Sequence, residues 1–367
     1  MGFTPPPYPF DRLDPLKEVA AAHEGGLVDL SVGTPCDPPP PPVVAALGRS
    51  GLERGYPSSV GMPAFKEAAA HWMARRFGVE VPNAGLAACV GTKEFVASLP
   101  RWLRLRDPGR DTVLYPAVSY PTYEMGAVLA GCRPVPVPVD GRWGLQLSAV
   151  TDDDASRALC LWVNSPGNPT GAVDDLGAAA AWGRAHGVPV FSDECYVEFT
   201  WKDPGHSILE HGLDGLVAVH SLSKRSNLAG LRIGFFAGDG DLVAYLSEVR
   251  RHAGLMAPGP VQLAAGVALA DDEHVAEQRQ RYLDRIELVR GMLRGSGVDA
   301  PMPEGSFYLW VEAPEGDAWG WTERLAKAAG VLVAPGDFYG PAGAGHVRWA
   351  LVQPLERLEL VARRLGP

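Results

Sequence analysis

The chain has 367 residues, 46% of them hydrophobic, with a formal net charge of −10 at pH 7. That length exceeds one small core and predicts a large domain with a smaller companion. The acidic balance, without any Lys/Arg block, argues against nucleic acid as a partner, and no apolar stretch is long enough to span a membrane.

The N-terminus, MGFTPPPYPFDRLDPLKE, has neither a basic n-region nor an apolar h-region. No secretory leader is expected, and the chain is expected in the cytoplasm. The widely spaced cysteines (Cys36, Cys89, Cys132, Cys160, Cys195) form no CxxC pair. They predict free thiols in a reducing compartment, with no metal site. The proline run CDPPPPPVV (Cys36–Val44) is expected to be an extended, stiff strap. GMPAFKEAAAHWMARRFGV then has the apolar spacing of an amphipathic helix. Short apolar runs recur after it, in LAACVGTKE, DTVLYPAVSYPTY, RALCLWVNSPGNPTG, VPVFSDECY, GLVAVHSLSK and LRIGFFAGD, with Ala-rich helical stretches such as Leu176–His186 between them. This alternation predicts an α/β fold with a mostly parallel sheet. From about Pro260 a long charged helix pattern precedes the short strands SFYLWVEA and HVRWALV, a separate α+β lobe. The expected division is an N-terminal arm and strap over 1–42, a large domain over 43–258 and a small domain over 259–367.

In open α/β sheets ligands sit beyond the carboxyl ends of the strands, so the residues closing each apolar run matter most. Asp193 follows GVPVF, where it serves either as a loop cap or as a buried functional carboxylate. Asn168 follows RALCLWV in a Pro/Gly turn, where it serves either as a cap of that turn or as a functional amide. After LAACV, Gly91 and Thr92 open a helix whose free N–H groups suit an anion. GTK lacks the earlier glycine of a P-loop, so nucleotide triphosphates are not expected; no GxSxG is present for a serine hydrolase. Tyr120 and Tyr123 offer aromatic faces or plain packing. SLSKRSNLAGLRIGFF sets Lys224 between serines and puts Arg232 against the run Ile233–Phe236, where an unpaired charge is costly and an anionic partner is needed. Arg348, in HVRWALV, is either an exposed strand residue or a carboxylate clamp.

Together these features describe a pyridoxal 5'-phosphate site. Lys224 supplies an amine for the aldehyde. Ser221, Ser223, Arg232 and the Gly91–Thr92 amides supply donors for the phosphate. Asp193 can hold a proton on the ring nitrogen. Asn168 and Tyr196 can donate to the ring oxygen, and Tyr120 can stack on the ring.

The motifs DLSVGTP, GYPSSVGMPAFKEA, GTKE, YPTYE, NSPGNPTG, SDECY, HSLSKRSNLAGLRIGFFAGD, APGDFYGPAG and HVRWAL resemble those of the fold-type I, class I/II pyridoxal phosphate aminotransferases over essentially the whole chain. The resemblance implies a large domain with a seven-stranded, mostly parallel sheet. It implies Lys224 as the Schiff-base lysine, Asp193 as the pyridinium partner, Asn168 and Tyr196 at the ring oxygen and Tyr120 against the ring. Gly91, Thr92, Lys93, Ser221, Ser223 and Arg232 fall in its cofactor set. Tyr56 matches a tyrosine that reaches the phosphate of the neighbouring subunit, implying a homodimer with shared sites. Arg348 matches the substrate-carboxylate arginine, assisted by Gly33 and Asn168. Arg225 has no role on this reading and is expected in solvent or at a dimer surface.

Within the family the wording resembles N-succinyldiaminopimelate aminotransferases of lysine biosynthesis. That implies a ping-pong exchange with glutamate as donor and N-succinyl-2-amino-6-oxopimelate as acceptor. Gly167 in NSPGNPTG and the segment EGSFYLW depart from that pattern, as a paralogue acting on another amino acid in secondary metabolism would. Lyases, synthases and cyclases share the same fold, so the fold alone does not decide the reaction.

Overall fold

The computed structural model describes residues 2–49 and 51–366. Strand β1 (Val28–Asp29) lies in the N-terminal arm. Strands β2 (Leu86–Cys89), β3 (Thr112–Pro116), β4 (Arg133–Val137), β5 (Ala158–Asn164), β6 (Val190–Asp193), β7 (Leu216–Ser221) and β8 (Gly234–Gly238) form one seven-stranded sheet in the order β2-β8-β7-β6-β5-β3-β4. All neighbours are parallel except β8, which runs antiparallel to both β7 and β2. Strand β9 (Tyr308–Glu312), β10 (Val331–Leu332), β11 (Ala334–Pro335) and β12 (His346–Ala350) follow. β11, β12 and β9 make an antiparallel sheet, and β10 pairs with β1.

The large sheet is covered on both faces. Along β5, Leu161 and Val163 join one apolar cluster with Trp72 and Phe235, while Cys160 and Trp162 join another with Phe95 and Phe191. Strands buried on both sides read as unbroken apolar runs rather than alternating ones, which is why these segments stood out. A third cluster joins Val28 and Leu30 of the arm to Ile286, Leu309 and Trp349. The arm therefore packs on the C-terminal lobe.

One strand lies outside the runs picked out in the sequence, and one element differs from the sequence expectation. Arg133–Val137 (RPVPV) carries two prolines, which argue against a strand. It sits at the sheet edge and pairs only with β3, where missing N–H donors are tolerated. The proline run is not extended throughout: Pro41–Leu47 is a helix. Its prolines fall in the first turn, whose N–H groups lack intrahelical partners in any case.

Candidate active site

The sheet topology gathers the strand-end residues into one cavity of ≈ 310 Å³. Thr92 arrives after β2, Tyr120 after β3, Asn168 after β5, Asp193 at the end of β6, and Ser221, Ser223 and Lys224 at the end of β7; the expected Gly91 stands one residue before Thr92 and does not itself line the cavity. Arg232 reaches the same rim from the opposite direction, because the antiparallel β8 starts there. Tyr8, Gly33, Lys93, Tyr196, Tyr308 and Arg348 also line the cavity.

Local chemistry fixes each position. Gly91 sits before the helix Thr92–Arg106 with φ 76° and ψ 148°, a region essentially restricted to glycine. A Cβ there would lie 2.3 Å from Nη2 of Arg232. Ser221 caps the one-turn helix Leu222–Arg225, its Oγ accepting from the Ser223 N–H at 3.2 Å. That turn presents Lys224, whose Nζ donates to the Gly33 carbonyl. Asn164, the last residue of β5, accepts from the Asn168 N–H at 2.8 Å and donates to the Asp193 carbonyl at 2.8 Å. It thereby ties the NSPGNPTG turn to SDECY.

Asp193 is buried and accepts from the Tyr123 hydroxyl at 2.8 Å and the Cys195 N–H at 3.2 Å. Burial pushes its pKa up; the bonds from Cys195 and Tyr123 and the Lys224 charge oppose that rise. Burial takes Lys224 down to about 8, with Arg348 and Arg232 adding to the fall and Asp193 opposing it. Arg348 is 3% exposed. It donates to Asn168 Oδ1 at 2.7 Å and to the Ser31 carbonyl, and its guanidinium stands 4.2 Å over the Tyr308 ring. Its Nε has no partner among the described residues. Tyr196 and Tyr308 bring their hydroxyls to 2.9 Å.

The family model for aminotransferase class I and II matches residues 26–365. The chain belongs to that family. Its relatives include a 4-dedimethylamino-4-oxo-anhydrotetracycline transaminase of Streptomyces rimosus, 43% identical over 98% of this chain and 99% of that one. A probable aminotransferase of Mycobacterium tuberculosis is 42% identical over 98% of this chain and 85% of that one. Among solved structures, a probable N-succinyldiaminopimelate aminotransferase from Thermus thermophilus matches with a TM-score of 0.88 and 33% identity, covering 97% and 98% of the two chains.

Class I/II aminotransferases use pyridoxal 5'-phosphate, and the donor set here fits that group. The cavity offers one amine with a lowered pKa, a buried carboxylate and an arginine, Arg232, that packs against the bare Gly91 outside the lining. Arg232 has no carboxylate partner among the described residues; its Nη1 donates to the Ala229 carbonyl at 2.8 Å.

Two aspects of this aminotransferase differ from the sequence expectation. Arg232 does not enter the buried run: it is exposed, in a left-handed conformation (φ 53°), two residues before β8 begins. Arg225 is neither solvated nor at a surface. Its side chain is 4% exposed and paired with Glu198 at 3.0 Å and Asp272 at 2.8 Å. Successive residues of a helical turn point about 100° apart, so Lys224 faces the cavity while Arg225 faces Trp72 and Glu198. Tyr56 lies outside the cavity and is 97% exposed.

Sequence reasoning left Tyr123 open between an aromatic face and packing and overlooked Asn164, Tyr308, Tyr8 and Phe10. Asn164 carried a usable signal, since it ends an apolar run. Tyr308 lies inside EGSFYLW, the segment that departs from the expected pattern. Tyr8 and Phe10 reach the cavity only through the docking of the arm, which no local pattern encodes.

Proposed function

We propose that this pyridoxal phosphate-dependent aminotransferase moves an amino group between glutamate or 2-oxoglutarate and a second amino or 2-oxo acid. The observation that carries this reading is the shared cavity of Lys224, with its lowered pKa, and the buried Arg348 with an unpartnered Nε. When bound, the cofactor supplies an electron sink for the bond broken at the substrate Cα. Lys224, its pKa lowered to about 8 so that a substantial neutral fraction exists near that pH, takes the Cα proton and returns it. Arg348 grips the α-carboxylate as a planar fork, beside the Gly33 main chain and Asn168, and so orients the Cα–H bond. Asp193 retains the proton of the ring nitrogen, and Asn168 and Tyr196 donate to the ring oxygen. Tyr120, which lines the cavity, would offer its aromatic face to the ring. Ser221, Ser223, Arg232, Gly91, Thr92 and Lys93 hold the phosphate.

The near-complete exposure of Tyr56 supports its reaching into the site of a second copy, in a homodimer with shared sites. The pairing of β1 with β10 supports a division in which the arm, residues 1–42, packs with the small domain, residues 259–367, beside the large domain, residues 43–258.

For the acceptor, N-succinyl-2-amino-6-oxopimelate is supported by the motif wording and by the likeness to the Thermus structure. A specialised acceptor of another kind is supported by the higher identity to the tetracycline transaminase and by the departures at Gly167 and EGSFYLW. The test has two halves. Holoenzyme mixed with glutamate alone should release one 2-oxoglutarate per site; no release would refute the glutamate assignment. The amine-loaded enzyme is then offered N-succinyl-2-amino-6-oxopimelate or a polycyclic ketone, and the faster acceptor decides between the two readings.

A further inference from the structure

Tyr308 opens β9, is 1% exposed, and touches three working parts of the site. Its hydroxyl lies 2.9 Å from that of Tyr196. It also lies so close to Gly33 that a Cβ there would come within 2.0 Å of it. The Arg348 guanidinium stands 4.2 Å over its ring. Among the described residues, Tyr196 is the one hydrogen-bond partner of the Tyr308 hydroxyl.

Each phenol carries one proton. Of two hydroxyls in contact, only one donates to the other. If Tyr196 spends its proton on Tyr308, it has none for a third group. If Tyr308 donates, the Tyr196 proton is free to point elsewhere. Arg348 favours the second arrangement by its place: it opposes the rise that burial imposes on both hydroxyls, but it stands over the ring of Tyr308 and, among the described residues, no cation stands over the ring of Tyr196, so the Tyr308 O–H is the more acidic. A hydroxyl that accepts one hydrogen bond also becomes a stronger donor of the next.

We propose that Tyr308 is a positioning residue that donates to Tyr196 and so aims the Tyr196 proton at the ring oxygen of the cofactor. This rests on the assignment of Tyr196 made above. Donation into that oxygen favours the deprotonated form of the bound chromophore, in which the oxygen carries most negative charge. Losing the relay therefore raises the pKa of the chromophore.

The test is a spectroscopic pH titration of the holoenzyme, independent of turnover. Tyr308→Phe should raise the chromophore pKa by about half to one unit, the size expected for one weakened hydrogen bond. Tyr196→Phe should raise it further, and the double variant no more than Tyr196→Phe alone. Because phenylalanine keeps the ring face under Arg348, the KM for glutamate should change less than about twofold. Tyr308→3-fluorotyrosine, which preserves shape and strengthens the donor, should move the chromophore pKa downward, and serves if the phenylalanine variant fails to fold. A wild-type pKa in both Tyr308 variants overturns the proposal, as does an additive double variant. If Tyr308→Phe shifts nothing while Tyr196→Phe does, only the relay falls; if neither shifts, the assignment of Tyr196 falls with it.

Discussion

Lys224→Met in the cofactor-free protein isolates the cost of burying the amine. Burial takes the Lys224 pKa from 10.5 to about 8, which corresponds to at most about 3.5 kcal/mol at one pKa unit per 1.4 kcal/mol. Lys224 still opens on the cavity, and screening there reduces the expected value to about 1–3 kcal/mol. The sign follows from proton counts. Above about pH 10.5 the amine is neutral in folded and unfolded chains alike, and burial carries no charge penalty. Between 10.5 and 8 the unfolded chain binds the proton first, so folded stability falls as the pH falls; below about 8 the penalty is complete. Lys224→Met should therefore be more stable than wild type at pH 7, with the gain shrinking as the pH rises to 10.5. Urea denaturation of both proteins across this range measures the difference. A stability difference that does not change with pH would refute the reasoning, whatever its size.

Other consequences are as direct. Arg225→Ala opens a buried gap and unpairs the Ala268 carbonyl, while Glu198 keeps Arg76 and Asp272 keeps Arg75; stability should fall by about 1–3 kcal/mol, and a denaturation midpoint at the wild-type value would refute the buried role of Arg225. Gly91→Ala forces a side chain into a glycine-only conformation and against Arg232. Its affinity for pyridoxal 5'-phosphate, read by equilibrium titration, should fall about 10- to 100-fold, the loss of one charge-assisted bond. Asp193→Ala should fold with a melting temperature close to wild type yet lose about a hundredfold or more in kcat/KM; normal turnover would remove Asp193 from the site.

The sequence was most legible where chemistry coincides with strand ends. Asp193 closes an apolar run and Asn168 and Lys224 follow one within four residues, and a parallel sheet brings such ends together whatever their separation along the chain. Arg232 shows the limit of that logic. Its neighbours are apolar, but a single left-handed residue turns its side chain out before the strand begins. Arg225 was misjudged because linear order does not say which way a one-turn helix points its residues. Tyr308 and Tyr123 act through hydroxyls that contact distant groups, Tyr196 and Asp193, and a tyrosine in an apolar run gives no sign of whether its oxygen is used. The edge strand Arg133–Val137 was hidden by prolines that only its position at the sheet edge makes tolerable.

The central claim is that Lys224 holds the cofactor. Holoenzyme reduced with borohydride, digested and mapped by mass spectrometry should carry the cofactor mass on the peptide containing Lys224, and Lys224→Ala should carry none. Label on Lys93 or another lysine, or no covalent label in wild type, would contradict the account.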